Sequence, residues 1–203
     1  LFGDSIPEYI YILIDGQVRQ LVEHPSNKEL ISLNVENPNY FVGWLSNQNE
    51  SPEEFVTAAT ECNFLKIKSL NWAKILKEFP EIIKLLNQEV LARDIWPLIK
   101  ERNIEYPKKT KDFRKFIKNI ASNSKTITFL PSDDLITKLD PSLEWLVASK
   151  DESYSFGEKF NLKKIVNNES PLRIIGIPKL LTSPVNNISL EDNLPLTRVE
   201  PVV

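Results

Sequence analysis

The chain has 203 residues, of which 41% are hydrophobic and 26% are charged, enough for one or two domains with real cores. With a formal net charge of −3, the chain lacks the overall positive charge that is typical of proteins that bind nucleic acid or an anionic membrane. The one cysteine, Cys62, excludes an internal disulfide framework, and no apolar run approaches the length of a membrane span. We therefore expect a cytoplasmic protein.

The chain contains no methionine, although a chain of this length ordinarily carries several, and it begins at Leu1 inside a strand-like pattern. We interpret it as a fragment of a longer protein from which modified methionines are missing. Some spacings along the sequence would then be one residue short.

The first strong pattern is a pair of strand-like runs at residues 9–14 and 17–22, joined by Asp15-Gly16. Asp-Gly between two such runs predicts a tight hairpin, because a type I′ turn needs positive φ at both central residues. The first run is apolar on both faces. We expect it to be covered on both sides, as inside a roll or sandwich.

More strand-like runs follow. A turn at His24-Pro25 leads to a returning strand at residues 28–33, and a short aromatic run surrounds Gly43. Residues 56–67 predict one strand with a change of face near Glu61.

Helical spacing begins after residue 69. Apolar residues predict a short helix ending at Phe79, and Pro80 suits the first position of a second helix with a wide apolar stripe. Trp96-Pro97 is expected to end or kink that helix. Residues 100–118 predict an amphipathic helix whose basic face is either simply solvated or meets an acidic partner, lipid headgroups or a nucleic-acid backbone.

The remainder reads as strands at residues 126–130, 143–149 and 172–177, separated by polar loops. Three prolines and few aromatic residues in the last stretch predict an extended tail or linker. The sequence therefore divides into residues 1–100, residues 101–181 and the tail at 182–203.

Few residues suggest catalysis or metal binding. The single histidine, His24, is expected to be a solvated turn residue, and Cys62 a buried small apolar side chain; a zinc site or a nucleophilic pair is implausible. Asp133-Asp134 and Asp151-Glu152 fit solvated turns, and the four tryptophans fit packing positions. No P-loop or dinucleotide fingerprint is present, so we predict no catalytic residue, metal or cofactor.

Residues 1 to about 95 resemble the cyclic-nucleotide-binding domain superfamily. The matching residues, in order, are Gly3-Asp4, Tyr11-Ile12-Leu13 before Gly16, Val18-Arg19, Phe41 with Gly43, Ala58 with Thr60-Glu61-Cys62 and Leu65, and Leu76 with Phe79-Pro80-Glu81. The resemblance implies an α+β fold: an antiparallel β-roll of jelly-roll type with C-terminal helices, followed here by a small α/β region.

The resemblance also implies where a ligand would bind. In the family, a short helix after a Phe-Gly-Glu element presents backbone N–H groups to the cyclic phosphate, the glutamate accepts from the ribose hydroxyl, and a later arginine pairs with the phosphate. Here Trp44 follows Gly43, and no arginine lies between Gly43 and Lys66. We predict no tight binding of cAMP or cGMP, with Phe41, Gly43, Trp44 and Ala58 marking the altered pocket and Trp44 filling it.

A second trace of the motif lies at Phe156-Gly157-Glu158, with Arg173 downstream. The glutamate and the arginine are farther apart than in the family, and the flanking strands do not match well. A loop followed by an ordinary strand is the simpler interpretation.

The resemblance implies a non-catalytic regulatory or interaction module that passes a signal through its C-terminal helices to an attached effector domain. It looks most like the regulatory region of a bacterial ABC-type exporter, which would reach the membrane only through the attached domain; nucleic acid is not an expected partner, and a homodimer stays open. The alternatives are a catabolite-activator-type transcription regulator, a sensor of a different small ligand, and an enzyme built in residues 120–181.

Overall fold

The computed structural model describes residues 7–24, 27–48, 55–130, 139–149, 151, 153–164 and 171–179. The strands of these residues are β1 Tyr9–Asp15, β2 Val18–Glu23, β3 Leu30–Glu36, β4 Phe41–Val42, β5 Phe55–Ala58, β6 Asn63–Lys68, β7 Lys125–Phe129, β8 Leu143–Val147 and β9 Leu172–Pro178. The helices are α1 Trp44–Gln48, α2 Ser69–Glu78, α3 Glu81–Leu86, α4 Ala92–Glu101 and α5 Thr110–Ser122. Helices beside antiparallel sheets confirm the α+β class. Outside the described residues lie the expected tail at 182–203, the pairs Gly3-Asp4 and Asp133-Asp134, and Glu152.

The first six strands form two three-stranded sheets with matching orders, β4–β1–β6 and β3–β2–β5. Because β1 leads into β2, β3 into β4 and β5 into β6, three bent strands pass from one sheet to the other around a common corner. The two sheets share an apolar cluster made by Leu13, Val18, Tyr40, Val42 and Val56. Full closure into a jelly roll remains a prediction.

The predicted hairpin at Asp15-Gly16 is wrong, because β1 and β2 belong to different sheets and these residues form the corner between them. Gly16 has a φ of +91°, and a Cβ there would lie 2.1 Å from the carbonyl oxygen of Glu61. Glycine is therefore needed for its conformation and for the close approach of the neighbouring bent strand. Asp-Gly suits both a corner between two sheets and a type I′ turn, so the dipeptide alone does not distinguish them.

The predicted strand at 56–67 is two strands, interrupted at the same corner by residues 59–62. The Gln17 amide donates to the Thr60 hydroxyl at 2.9 Å, which ties the two bent strands together there. Cys62 is half-buried, with its Sγ 3.1 Å from the carbonyl oxygen of Gln17, so it is not the fully buried apolar side chain that we expected.

Two expectations of exposure are wrong in opposite directions. Ile14 is 56% exposed, so β1 is not covered on both faces. His24, expected in solvent, is only 1% exposed, and its ring packs edge-on against Phe113 with the ring centroids 5.2 Å apart. A turn residue is buried here because α5, far away in sequence, covers the end of β2.

The helical region follows the sequence closely until residue 86. α2 ends at Glu78, and Pro80 is the N-cap of α3. The second helix does not continue to Trp96 as expected: the chain leaves it after Leu86, and α4 then contains Pro97. The new start is capped by Asp94, whose carboxylate accepts from the Leu91 amide at 2.8 Å. The expected basic helix at 100–118 begins only at residue 110.

The three later strands are confirmed and form a third sheet, β7–β9–β8. The largest apolar cluster joins β8 and β9 of this sheet to α4, α5 and the strands β2 and β3; its fully buried members include Leu33, Ile95, Leu98, Phe113, Ile117, Leu146 and Ile175. Of the tryptophans, Trp44, Trp72 and Trp145 are buried and Trp96 packs against this cluster, as expected. The cluster draws on both sides of residue 100, where a domain boundary stays a prediction.

Candidate functional site

The pocket implied by the resemblance falls at the junction of β4 and α1. β4 pairs with the middle of β1, Gly43 follows with a φ of +84°, and the short helix α1 begins at Trp44. A Cβ on Gly43 would lie 2.9 Å from Cγ of Pro7 and 3.2 Å from the carbonyl oxygen of Tyr9, so this position needs glycine. The strand, the glycine and the short helix thus occur in the order that the resemblance implies.

Trp44 follows Gly43 at the position where the resemblance implies a glutamate, and its side chain is buried. Trp44 is 4% exposed and packs edge-on against Trp72 of α2, with the ring centroids 6.1 Å apart. The ring of Phe41 also packs against Trp72, with the centroids 5.6 Å apart. These residues belong with Ile10 and Ile83 to a cluster between β1, α2 and α3, distinct from the cluster between the sheets. Trp44 therefore attaches α1 to the helices, and its role in filling a former pocket stays a prediction.

Ala58 is not assembled with the other three predicted residues. It is exposed and pairs with Val18 at the corner, whereas Gly43 stands beside Tyr9 at the opposite end of β1. Phe41, Gly43 and Trp44 form one local element, and Ala58 marks a different place on the fold.

The second trace is divided between two sets of partners. Glu158 forms an ion pair with Lys164 and accepts from the Ser155 amide at 3.1 Å; the hydrogen bond from Lys164 is the main reason that the pKa of Glu158 is lowered. Arg173 is buried on β9 and bonds instead to Asp94 of α4. Glu158 and Arg173 therefore bind different partners and do not form one ligand site.

The pair of Arg173 and Asp94 is the most deeply buried ionic group of the described residues. Nη1 lies 3.0 Å from Oδ1 and Nη2 lies 2.9 Å from Oδ2, and each side chain is 3% exposed. Arg173 also donates to the carbonyl oxygen of Glu89 at 3.2 Å and to the Thr126 hydroxyl at 3.3 Å. A planar guanidinium satisfies four acceptor atoms in this way, which a lysine could not reproduce.

The charge of Asp94 is stabilised from several sides. Burial alone would raise the pKa of Asp94, but the charge and hydrogen bonds of Arg173 outweigh it, with further help from the charge of Arg93 and from the Leu91 amide. The pKa therefore lies below the ordinary range of a carboxyl group, and Asp94 is ionised at neutral pH.

Arg93, the residue before Asp94, reaches a different sheet. Its Nη1 lies 2.7 Å from the Tyr40 hydroxyl oxygen and 3.3 Å from the carbonyl oxygen of Phe41, and its guanidinium carbon lies 4.8 Å from the centre of the Tyr40 ring. Two consecutive residues of α4 thus hold the β4 segment on one side and β9 on the other. α4 is therefore the structural link between the β4–α1 element, which comprises Phe41, Gly43 and Trp44, and the third sheet.

Comparisons with known proteins give distant likenesses. No model of a known protein family matches the chain, and no curated protein matches it. Among solved structures, the regulatory domain of Toxoplasma gondii PKA crystallised with cAMP is 11% identical, with a TM-score of 0.36 over 89% of this chain and 76% of that one. The regulatory subunit of a cAMP-independent protein kinase A from Trypanosoma brucei is 11% identical, with a TM-score of 0.29 over 89% and 69%. A CRP-family transcriptional regulator from Thermus thermophilus is 16% identical, with a TM-score of 0.31 over 61% and 78%.

Neither a metal site nor a membrane span is found in the part of the chain that the structure describes. No three side chains among its histidine, cysteine, aspartate and glutamate residues converge to hold a metal ion. Its helices are too short or too polar to cross a lipid bilayer.

Sequence reasoning missed the ionic link through α4, although one signal was present. β9 is an otherwise apolar strand, and Arg173 is its one charged residue. A charged residue inside such a strand is rarely buried unless it is paired, so it predicts a buried carboxylate partner. Nothing in the sequence names Asp94 as that partner, because the pair joins a helix to a strand 79 residues away.

Proposed function

We propose that the chain is a non-catalytic regulatory or interaction module of a larger protein, in which the cyclic-nucleotide pocket of the resembled family no longer binds cAMP or cGMP in the usual way. The observation that carries this is the burial of Trp44 against Trp72 at the position of the family's ribose-binding glutamate. An indole ring in that place offers no acceptor to a ribose hydroxyl.

The expected loss of affinity is large. Hydrogen bonds to charged groups contribute about 1.5–3 kcal/mol each, so losing both the carboxylate and the arginine removes about 3–6 kcal/mol. That loss corresponds to a Kd weaker by about 10²–10⁴. In the sequence, Glu53 and Glu54 stand in the stretch where the family has its arginine, and their charge would repel a phosphate further.

In this proposal the module binds no small messenger and transmits a signal through contacts between its own elements. Arg93 holds the segment around Phe41, next to Gly43, and Asp94 holds β9, so a displacement of the β4–α1 element would be felt by the third sheet through α4. The effector that we favour is an attached domain of a bacterial ABC-type exporter, by the family resemblance alone. In this proposal the chain itself is cytoplasmic and reaches the membrane only through that domain.

Calorimetric titration tests the proposal. cAMP and cGMP are titrated into the protein, with the Toxoplasma gondii PKA regulatory domain as the positive control for cAMP. We expect no binding tighter than about 0.1 mM, because the two lost interactions would weaken a micromolar site by about 10²–10⁴. A micromolar Kd for either nucleotide would overturn the proposal.

A catabolite-activator-type regulator would need a helix-turn-helix with a basic recognition helix after the long helix. α5 is the basic helix here, but its apolar side lies in the core and β7 follows it within three residues. We expect no gel shift with duplex DNA at physiological salt.

A sensor of a different small ligand is the second candidate. The amide of Asn87, at the end of α3, is 3% exposed, and neither its oxygen nor its nitrogen has a hydrogen-bond partner among the described residues. A buried polar group in this state gains stability from any ligand that satisfies it. Thermal-shift screening with small polar metabolites tests this; a compound that stabilises wild type but not Asn87→Leu would support it.

A further inference from the structure

Helix α5 has an apolar face in the core and a basic face in solvent. Phe113, Ile117 and Ile120 are at most 2% exposed and pack in the largest apolar cluster. The opposite face carries four exposed cations, which we call the α5 ridge: Lys111, Arg114, Lys115 and Lys118. At 3.6 residues per turn these four lie within about 100° of arc, at spacings of three and four residues.

The described residues leave the charge of the α5 ridge without acidic partners. In the part of the chain that the structure describes, none of its four cations forms an ion pair, whereas four other lysines each pair with a carboxylate: Lys28, Lys125, Lys159 and Lys164. Like charges three and four residues apart destabilise a helix, and α5 contains a single acid, Asp112. The ridge therefore opposes helix stability while the core face is already complete, which points to a role outside folding.

The side chains on the ridge limit the kind of partner that it fits. They include no exposed aromatic or large apolar residue, since Phe113 is buried and Phe116 packs against the core cluster. Base stacking and insertion into a bilayer both need such a residue. The ridge is one helix wide and about 10 Å long, which matches about two turns of a partner helix.

The helix that carries the ridge packs against α4 through aromatic rings. Trp96 of α4, Tyr106 and Phe113 form three near-perpendicular ring contacts, with centroids 5.3, 5.7 and 5.9 Å apart. Phe113 lies on the inner side of the helix that carries the ridge. A partner on the ridge would therefore be coupled to the helix that bears Arg93 and Asp94.

We propose that the α5 ridge is the docking surface for an acidic segment of the partner protein on which this module acts. The proposal rests on the regulatory function proposed above and names the chemistry of its output. A helical segment with carboxylates at spacings of three and four residues matches the spacing of the four cations.

Fluorescence anisotropy with a labelled peptide tests the docking surface. The probe is a synthetic acidic helix of about four turns with glutamate along one face, used at low salt because screening weakens exposed charge pairs. The test variant is Lys111→Glu/Lys115→Glu. The matched control is Lys74→Glu/Lys77→Glu on α2, which makes the same charge change at exposed positions of another helix.

We expect wild type and the α2 control to bind the peptide within about twofold of each other, and the α5 variant to bind at least about tenfold more weakly. Circular dichroism shows whether both variants keep the helical content of wild type. Equal affinities of the two variants would overturn the proposal, as would the absence of binding to wild type at millimolar peptide.

Tighter binding of duplex DNA or of phosphatidylserine vesicles than of the peptide, lost in the α5 variant, would also overturn it and assign the ridge to a nucleic acid or a lipid surface. Failure here is distinguishable from failure of the regulatory proposal. The cAMP titration measures nucleotide binding at the β4–α1 element and does not involve the α5 ridge.

Discussion

Arg173 and Asp94 lie 79 residues apart in the sequence and meet in a bidentate ion pair with each side chain only 3% exposed. The pair fastens β9 to the first turn of α4, and the neighbouring Arg93 fastens the same turn to Tyr40. The first turn of α4 is therefore the point at which the β4–β1–β6 sheet and the third sheet are held together by charged groups. Because charges removed from water are stable only while they are paired, this point is sensitive to substitution.

Removing one member of the pair should strongly destabilise the fold. Asp94→Ala leaves the Arg173 guanidinium buried without its counter-charge, and we expect a loss of about 3–5 kcal/mol in the free energy of unfolding, measured by urea denaturation. Glu23→Gln is the matched control: its ion pair with Lys28 is 2.8 Å long but exposed, so its loss should cost about 1 kcal/mol or less. Comparable losses for the two variants would mean that the buried pair is not structural.

Replacing both members tests whether the pair is needed for its charge or only for its volume. Asp94→Leu/Arg173→Met removes both charges and fills the site with apolar atoms, so the double variant should be more stable than Asp94→Ala. A double variant no more stable than Asp94→Ala would show that the Glu89 carbonyl and the Thr126 hydroxyl, left without the guanidinium, dominate the loss.

The same pair should contribute to stability in a defined pH window. The native pKa of Asp94 is lowered, so the unfolded state takes up its proton first, at about pH 3.9. The contribution is fully present above that pH and declines as the pH falls through it toward the native pKa. In urea denaturation from pH 7 to pH 3, the stability difference between wild type and Asp94→Asn should shrink below about pH 4. Other carboxyl groups titrate in both proteins and cancel, so a constant difference would contradict the assignment.

Sequence reasoning succeeded where neighbouring residues decide the structure. Pro80 predicts a helix start because its ring fixes φ and it has no N–H to leave unsatisfied, and it caps α3. The apolar run around Ile174 predicts a strand, and it forms β9 in the centre of the third sheet. The short helix after Gly43 is implied only by the family resemblance, because the residues themselves predict an aromatic, strand-like run around Gly43, whereas the structure has β4 at Phe41–Val42 and α1 from Trp44.

Sequence reasoning failed where contacts between distant segments decide the local structure. Asp15-Gly16 reads as a hairpin locally, and only the approach of Glu61 makes it a corner. His24 reads as a solvated turn residue, and only the packing of Phe113 buries it. In each case the deciding contact joins segments more than 40 residues apart, which periodicity and turn chemistry do not register.

The corner itself can be tested at Gly16. Gly16→Ala places a Cβ 2.1 Å from the Glu61 carbonyl oxygen at a φ of +91°, so the two bent strands must separate. We expect a loss of about 2 kcal/mol or more, combining the positive-φ strain with the displaced backbone. Ala58→Gly, at an exposed position on β5, serves as the control and should cost about 0.5–1 kcal/mol. A Gly16→Ala protein as stable as wild type would mean that the corner is not built on this contact.

Substitutions of Trp44 test whether the pocket implied by the resemblance is a packed element. Trp44→Ala removes an indole that is 4% exposed and leaves Trp72 and Phe41 facing a cavity, so we expect a loss of about 3–5 kcal/mol in urea denaturation. Trp44→Phe keeps a ring against Trp72 and should lose less, and Leu70→Ala, at a position 79% exposed, should lie within about 0.5 kcal/mol of wild type.

Trp44→Glu extends the same test to the ligand. It introduces the acceptor that the resemblance implies at this position, but it buries a carboxylate and supplies no arginine, so the variant should be destabilised and should still give no heat with cAMP. Nucleotide binding by Trp44→Glu would show that the tryptophan alone had closed a pocket that is otherwise intact. A loss below about 1 kcal/mol in Trp44→Ala would show that the site is open rather than packed.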